Sequence, residues 1–228
     1  MKFKSGLVTQ VSGSFGGMTG SHNRGGLYFR ARAIPVNTNT SFQQTVRNFM
    51  SQLTSRWVNT LTEAQRAAWS VYAEQTPMTD SLGDARSIPP LAMYCRCNIA
   101  RLQAGLAVVD EGPTVYGLPT FTPPTFAVDA SDDDVDVAFT DTDEWAIADG
   151  GGLIVLASRP QNPTINYFAG PYRFAASIDG AVVPPTSPAT ILLPFPVGLG
   201  QKVFFQVRAA LADGRISSPF RGSVLAAA

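Results

Sequence analysis

The side chains that could carry out chemistry are few, and they lie far apart in the sequence. The chain has one histidine, His22, in a glycine-rich opening segment, and two cysteines, Cys95 and Cys97. A nucleophile–histidine pair needs an imidazole held in a pocket by a fixed acidic partner, and the first 62 residues contain no acidic side chain. Structural zinc needs four Cys or His ligands. We therefore expect no enzyme, no catalytic residue, no bound metal and no other cofactor.

The two cysteines are separated by one residue, which is too close for an ordinary disulfide. Residues two apart on a helix project roughly 200° from each other. The spacing therefore predicts that Cys95 lies in a core and that Cys97 lies on a partly exposed face. Met1–Lys4 leads into glycines and not into an apolar run, so we expect no signal peptide and synthesis in a reducing cytosol.

Nine acidic residues and no Lys or Arg lie between Asp129 and Asp149. Calcium takes oxygen ligands, but the run 132–136 lacks the central glycine and the terminal Glu of the usual twelve-residue loop. We interpret it as a solvated turn. The three glycines 150–152 precede a predicted strand, whereas phosphate-binding loops follow a strand and open a helix. We interpret them as a loop or a bulge.

The opening segment has the opposite charge and is glycine-rich. Seven basic residues and no acidic residue lie in positions 1–62, and seven glycines lie between Gly6 and Gly26. The segment is too poor in periodic apolar residues to form a core of its own, but it carries apolar anchors. We expect another protein chain to order it. The predicted partner-binding residues are Arg24, Tyr28, Phe29, Arg30 and Arg32. Basic and aromatic residues also suit nucleic acid, but the cations are too sparse for that to be the expected partner.

Composition indicates association and not a membrane protein. Of 228 residues, 45% are apolar and 15% are charged, and the net charge is zero. A lightly charged surface with no net charge favours association, so we expect self-association. The acidic and basic segments could also direct head-to-tail contacts between copies. No run of 18 apolar residues is present, so no membrane span is expected.

Residues 39–109 have helical periodicity, after an extended arm at 1–38 with strand-like runs at 7–11 and 27–32. One apolar stripe recurs at spacings of three and four: Phe42, Val46, Phe49, Leu53 and Trp57. Capping-box patterns at 60–63 and 62–65 predict that a second helix begins there. That helix carries Ala68, Trp69 and Tyr72, and we expect Trp57 and Trp69 in the core. A third helix carries Leu91, Cys95, Ile99, Leu102 and Leu106.

Residues 110–125 form a proline-rich connection, and residues 126–228 have β periodicity. Short apolar or alternating runs are separated by turn signals, as in a β-sandwich. The runs are 135–139, 153–156, 173–178, 203–209 and 216–219. The fold class predicted is therefore α+β: an arm, a small helical unit and a C-terminal sandwich.

The last predicted hairpin resembles that of fibronectin type III domains, which are immunoglobulin-like sandwiches. An aromatic residue, Val-Arg-Ala, Asp-Gly and Ser-x-Pro follow in that order, at Phe205, Val207, Arg208, Ala209, Asp213, Gly214, Ser217 or Ser218, and Pro219. The tryptophan common in an early strand of that family has no evident counterpart, because Trp145 lies in an acidic, turn-like stretch. The resemblance implies a scaffold that hosts many functions, and it transfers no binding residue.

The first 110 residues resemble small proteins encoded among bacteriophage structural genes. The matching residues are Gly13, Gly16, Gly17 and Met18; Ser21, Asn23 and Arg24; Tyr28, Arg30 and Arg32; Pro35, Val36 and Asn37; Gln44, Val46, Arg47 and Trp57; and Leu61, Thr62, Gln65, Arg66 and Trp69. This resemblance implies a component of the virion, made in the host cytoplasm.

Within that class we expect a head decoration or cement protein, a minor capsid component that binds the major capsid protein or another virion protein through its N-terminal part. A tail, collar or head-to-tail connector component is the alternative. A carbohydrate-binding adhesin domain is a further alternative, and it would use exposed aromatics such as Trp145, Tyr167 and Tyr172.

Overall fold

The computed structural model describes residues 12–23, 26–34, 36, 38–79 and 85–227. The chain divides into two compact units, residues 1–44 and residues 45–228. Three helices and several antiparallel sheets are present. The predicted α+β class is therefore confirmed.

The first unit contains a three-stranded antiparallel meander. Its strands are β1 (Gly13–Phe15), β2 (Met18–Asn23) and β3 (Gly26–Ala31), with β2 in the centre. Phe15 pairs with Met18, so only two residues connect β1 to β2. Gly16 has φ +57°, which glycine adopts without steric cost. The run at 16–20, expected to separate two strands, therefore supplies a turn and the start of a central strand. The predicted strand at 7–11 lies outside the described residues.

The second unit begins with a helical layer. Its elements are α1 (Ser41–Asn59, whose first turn belongs to the first unit), α2 (Glu63–Gln75), a short hairpin of β4 (Met78–Thr79) and β5 (Ala85–Arg86), and α3 (Pro90–Ala104). The capping box predicted at 62–65 is confirmed. The backbone N–H of Gln65 donates to Thr62 Oγ1 at 3.3 Å, and the backbone N–H of Thr62 donates to Gln65 Oε1 at 2.8 Å.

The periodic stripe of α1 is only partly buried. Leu53 is fully buried, Trp57 is half-buried with its ring 5.4 Å from that of Tyr94, and Phe42 is 45% exposed. Trp69 on α2 is fully buried, which confirms it as a core residue. The apolar stripe therefore predicts a longer buried face than α1 has, because the stripe residue Phe42 near its N-terminus is partly exposed.

Helix α3 is covered on both sides, and this corrects the prediction for Cys97. Both Cys95 and Cys97 are buried, although two residues this close on a helix point in different directions. One apolar cluster joins residues of α1 and α2, through α3, to residues of the sandwich. Since both faces of α3 contact other elements, its amphipathic pattern is weak, and periodicity identified only one of the two buried faces.

Seven strands follow α3 and form two antiparallel sheets. They are β6 (Thr125–Asp129), β7 (Asp134–Ala138), β8 (Gly152–Ala157), β9 (Arg173–Asp179), β10 (Ala189–Leu192), β11 (Lys202–Ala210) and β12 (Phe220–Leu225). One sheet has the order β10-β7-β6, and the other has the order β12-β11-β8-β9. Inward residues of both sheets, such as Val137 and Val207, belong to one buried cluster. The outer faces of the two sheets therefore point away from each other.

Two local predictions in this region need correction. Trp145 is buried in the sandwich core, where its ring lies 5.1 Å from that of Phe139, although its neighbours in sequence are acidic. The last strand begins at Phe220 and not at Ile216, because Ile216 forms only an isolated bridge with Ala210 before the chain turns into the strand.

A buried arginine fixes α3 to the loops of the sandwich. The Arg101 guanidinium donates to the carbonyl oxygens of Ala107 at 2.8 Å, Leu211 at 2.7 Å and Gly150 at 2.9 Å. These carbonyls belong to three different segments. Arg101 is 2% exposed, and no described carboxylate forms a salt bridge with it. Burial lowers the pKa of Arg101, and the three carbonyl dipoles are its compensation.

Asp110 joins the three helices from the segment that follows α3. Its carboxylate accepts from Arg56 Nε at 2.7 Å, from Arg56 Nη2 at 2.6 Å and from the Tyr94 hydroxyl at 3.0 Å. Its backbone carbonyl accepts from Trp69 Nε1 at 2.8 Å. The bidentate bond from Arg56 lowers the pKa of Asp110, with a smaller contribution from Tyr94. The proline-rich segment is therefore anchored at its start by helical side chains.

Replacing Arg101 should show how much its three hydrogen bonds to backbone carbonyls stabilise the second unit. We expect Arg101→Met to lower the free energy of unfolding by about 3 kcal/mol or more, because it leaves three buried carbonyls without a donor. Urea unfolding measures the change. The control, Arg86→Met at an exposed position of β5, should stay within about 0.5 kcal/mol of the wild type. Equal changes in the free energy of unfolding for the two substitutions would contradict this role of Arg101.

The Asp110 contribution should depend on pH. Since the folded-state pKa lies below the ordinary 3.8, its contribution is complete above the unfolded-state pKa and is lost as pH falls through the folded-state pKa. We expect Asp110→Asn to cost about 1–2 kcal/mol at neutral pH, a low value because Arg56 is partly exposed. The difference from wild type should shrink in acid. A difference that stays constant from neutral pH to well below pH 3.8 would refute this account.

Candidate interaction surfaces

Four of the five predicted partner-binding residues lie on or just after the edge strand β3. Tyr28, Phe29 and Arg30 are strand residues, and the Arg32 N–H donates to the Gly17 carbonyl at 2.9 Å just beyond the strand. Arg24 lies outside the described residues. In the register of the meander, Tyr28 pairs with Ser21, Phe29 with Gly20 and Arg30 with Thr19.

This register divides the meander into two unlike faces. Residues directly opposite each other across antiparallel strands share a face. One face is apolar, and its side chains are Phe15, Met18, Leu27, Phe29 and Ala31, together with His22. The other face is polar, and its side chains include Ser14, Thr19, Ser21, Tyr28 and Arg30, with the Ser14 and Thr19 hydroxyls 3.1 Å apart. The predicted residues are therefore split between the two faces.

The apolar face is incompletely covered. Phe15 is 89% exposed and Met18 is 46% exposed. A small sheet needs another layer against its apolar face to be stable in water. The opening unit therefore presents a surface that a partner could bury, with Arg30 available on the opposite face and Arg32 exposed just beyond the strand.

The residues considered for chemistry lie in structural positions. His22 is exposed on β2, where it pairs with Leu27. Burial raises the pKa of Cys95, and burial raises that of Cys97 to about 11, so both thiols are protonated at neutral pH. Over the described ranges, no three His, Cys, Asp or Glu residues come close enough together to hold a metal ion.

The acidic stretch forms local hydrogen bonds on the sandwich. Asp129 accepts from the Ser131 N–H at 2.7 Å and from its hydroxyl at 2.6 Å, which closes the turn between β6 and β7. Asp136 accepts from the Thr190 hydroxyl of β10 at 2.6 Å. Asp129, Asp134 and Asp136 alternate outward from the core on this strand pair. We call these three residues the acidic face.

An open groove lies beside the other sheet and contains two of the three aromatic candidates. It is lined by Tyr167, Tyr172 and Arg221, among others. Tyr167 is 71% exposed, whereas the Tyr172 hydroxyl donates to the Phe168 carbonyl at 3.0 Å. Trp145, the third candidate, is buried in the core and cannot contact a ligand from solvent.

Sequence patterns do not reveal that Arg208 and Arg221 share the outer side of this sheet. The resemblance of the last hairpin includes Arg208 but neither Arg96 nor Arg221. The turn signal at 212–214 could have indicated that the two arginines are neighbours. Pairing β11 with β12 across that turn places Arg221 opposite Gln206, two residues from Arg208. The register had to be known first, since the intervening loop also holds an isolated bridge at Ile216.

No model of a known protein family matches the chain. A comparison with curated proteins likewise gives no match. Each of the helices α1–α3 in the described part of the chain is too short or too polar to cross a lipid bilayer.

The exposed meander should be the first part of the isolated chain to be cut by a protease. Limited proteolysis should remove residues 1 to about 35 before cleavage occurs in the second unit, because the apolar face of the meander is incompletely covered. Mass spectrometry of the time course identifies the fragments. Equal protection of the two units in dilute monomer would contradict this.

Proposed function

We propose that the chain is a non-enzymatic structural protein of a bacteriophage virion, most specifically a head decoration or cement protein that binds the capsid through its N-terminal unit. The observation that carries the proposal is the meander, whose apolar face leaves Phe15 89% exposed. The second unit has cores of its own. A chain with one self-sufficient unit and one incompletely covered unit suits a component that is completed by assembly. The resemblance of its first 110 residues to phage structural proteins supports the class.

We further propose that the sandwich is of the immunoglobulin and fibronectin type III kind. Strands β6–β12, lettered A–G in chain order, give one sheet A-B-E and another D-C-F-G. Immunoglobulin constant domains place the fourth strand beside E. Here it lies beside C, which is the arrangement expected of a fibronectin type III domain. Trp145 fills the core from the loop between the second and third strands, in place of an early-strand tryptophan.

Attachment would combine apolar burial with strand pairing. Covering a large apolar side chain such as Phe15 or Met18 contributes about 1.5–3 kcal/mol. The edge strand β3 could add main-chain hydrogen bonds by pairing with a strand of the partner. Arg30 and Arg32 would set register and encounter rate, which is the usual role of peripheral charges. Repeated over many copies, such contacts would stabilise a shell.

Two other functions remain as proposals. A tail, collar or connector component would use the same kind of attachment and would differ in copy number. Purified particles distinguish these, because decoration requires an abundance comparable with that of the major capsid protein. A carbohydrate-binding adhesin is favoured by one observation, the exposed Tyr167 in a groove beside Tyr172.

Deleting the arm tests the attachment. A chain lacking residues 1–35 should fail to join particles, while its second unit keeps the thermal unfolding of the wild type. Alanine at Arg24, Arg30 and Arg32 should weaken binding and reduce its dependence on salt, since those charges would no longer contribute to it. Incorporation is measured by the ratio of the chain to the major capsid protein in purified particles.

Tyr167→Ser is the matched control in the groove, and it should be incorporated normally. Normal loading of the arm-deleted chain would refute attachment through the N-terminal unit. Loss of incorporation in Tyr167→Ser alone would move the attachment site to the sandwich.

A further inference from the structure

Three arginines lie close together on the outer side of the four-stranded sheet. Arg208 on β11 and Arg221 on β12 belong to the same face, because Arg221 pairs with Gln206 and residues two apart on a strand share a face. Helix α3, which carries Arg96, packs against β11. We call Arg96, Arg208 and Arg221 the basic face.

No described carboxylate neutralises the basic face. Arg96 Nη1 and Arg208 Nε are buried without a hydrogen-bond partner, and none of the three arginines forms a salt bridge with a described carboxylate. Burial, and then Arg96 and Arg221, lower the pKa of Arg208. Buried polar groups are almost always satisfied in native proteins. The three guanidinium groups therefore leave positive charge on this side of the sheet that no described carboxylate neutralises, and the exposed Arg221 presents that charge to solvent.

The chain carries a matching anionic surface on its opposite side. Asp134 pairs with Asp129 across the β6–β7 hairpin, and Asp136 follows two residues later on the same face. Burial and the charges of Asp129, Asp136 and Asp132 raise the pKa of Asp134. Like charges are crowded on both surfaces, so contact between the two would relieve repulsion in each.

The geometry points to a second copy of this chain as the partner: we propose that the acidic face of one copy binds the basic face of the next. The two faces lie on the outer sides of different sheets of one sandwich. A contact between unlike faces is heterologous, so it leaves a free face at each end and builds a ring or an open row of copies. Carboxylates suit the site because they accept two parallel hydrogen bonds from a guanidinium.

This inference adds a lateral contact between neighbouring copies to the proposed function. Only the place of that contact, the surface of the particle, rests on the proposed function. Its test needs the purified chain and no particle. Failure of self-association would leave attachment through the arm standing, and failure of attachment would leave self-association standing.

The experiment is sedimentation velocity of the full chain over a range of concentrations at low and high salt. We expect oligomers that grow with concentration at low salt and dissociate at high salt. Arg221→Glu and Asp136→Arg, both at exposed positions, should each weaken self-association at least about tenfold, since attraction becomes repulsion. Mixing the two variants should restore association, because each then offers the face that the other lacks.

Two control variants and three contrary outcomes complete the test. Arg86→Glu, an exposed reversal outside both faces, should associate as the wild type does, and so should the chain lacking residues 1–35. A wild type that is monomeric at every concentration would overturn the proposal. Undiminished association in both single variants, Arg221→Glu and Asp136→Arg, would overturn it as well. Association that disappears only with the arm would also overturn it, because the contact would then belong to the meander.

Discussion

The second unit depends on the double-sided burial of α3. This helix meets α1 and α2 on one side and the outer surface of the four-stranded sheet on the other, within one apolar cluster. Arg101 closes that junction with three hydrogen bonds to carbonyls of different segments. A buried guanidinium is costly to desolvate, so the helix and the loops must keep the positions that satisfy it. Helical layer and sandwich therefore form one body, although the sequence suggests two domains and a linker.

The buried core of the second unit contrasts with the incompletely covered opening unit, and this contrast gives the proposed function its physical basis. The second unit buries its tryptophans Trp69 and Trp145 internally, whereas the meander leaves Phe15 in solvent. A chain whose second unit has cores of its own can attach through its first unit without rearranging those cores. The charged faces of the sandwich add a second kind of contact, in which the register of β11 with β12 and of β6 with β7 determines which side chains meet the partner.

Local sequence signals predicted what depends on local interactions. The capping box at Thr62 and Gln65 predicted the start of α2, and the short apolar or alternating runs predicted β7, β8, β9 and β11. The errors concern residues whose environment comes from distant segments. Cys97 is buried because a sheet formed by residues after position 150 covers α3, and Trp145 is buried despite acidic neighbours because the sheets close over it. The arm residues Tyr28, Phe29 and Arg30 were predicted together, but the register that places them on two faces required the structure.

Hydrogen exchange of the free chain and of the chain in purified particles tests the central claim most directly, namely that the chain attaches through its opening unit, whose apolar face is covered on assembly. The account predicts that amides of β2 and β3 exchange rapidly in the free chain and become protected in particles. Amides of β8 and β11 should be protected in both states. Strong protection of β2 and β3 in the free monomer, unchanged on assembly, would contradict the account.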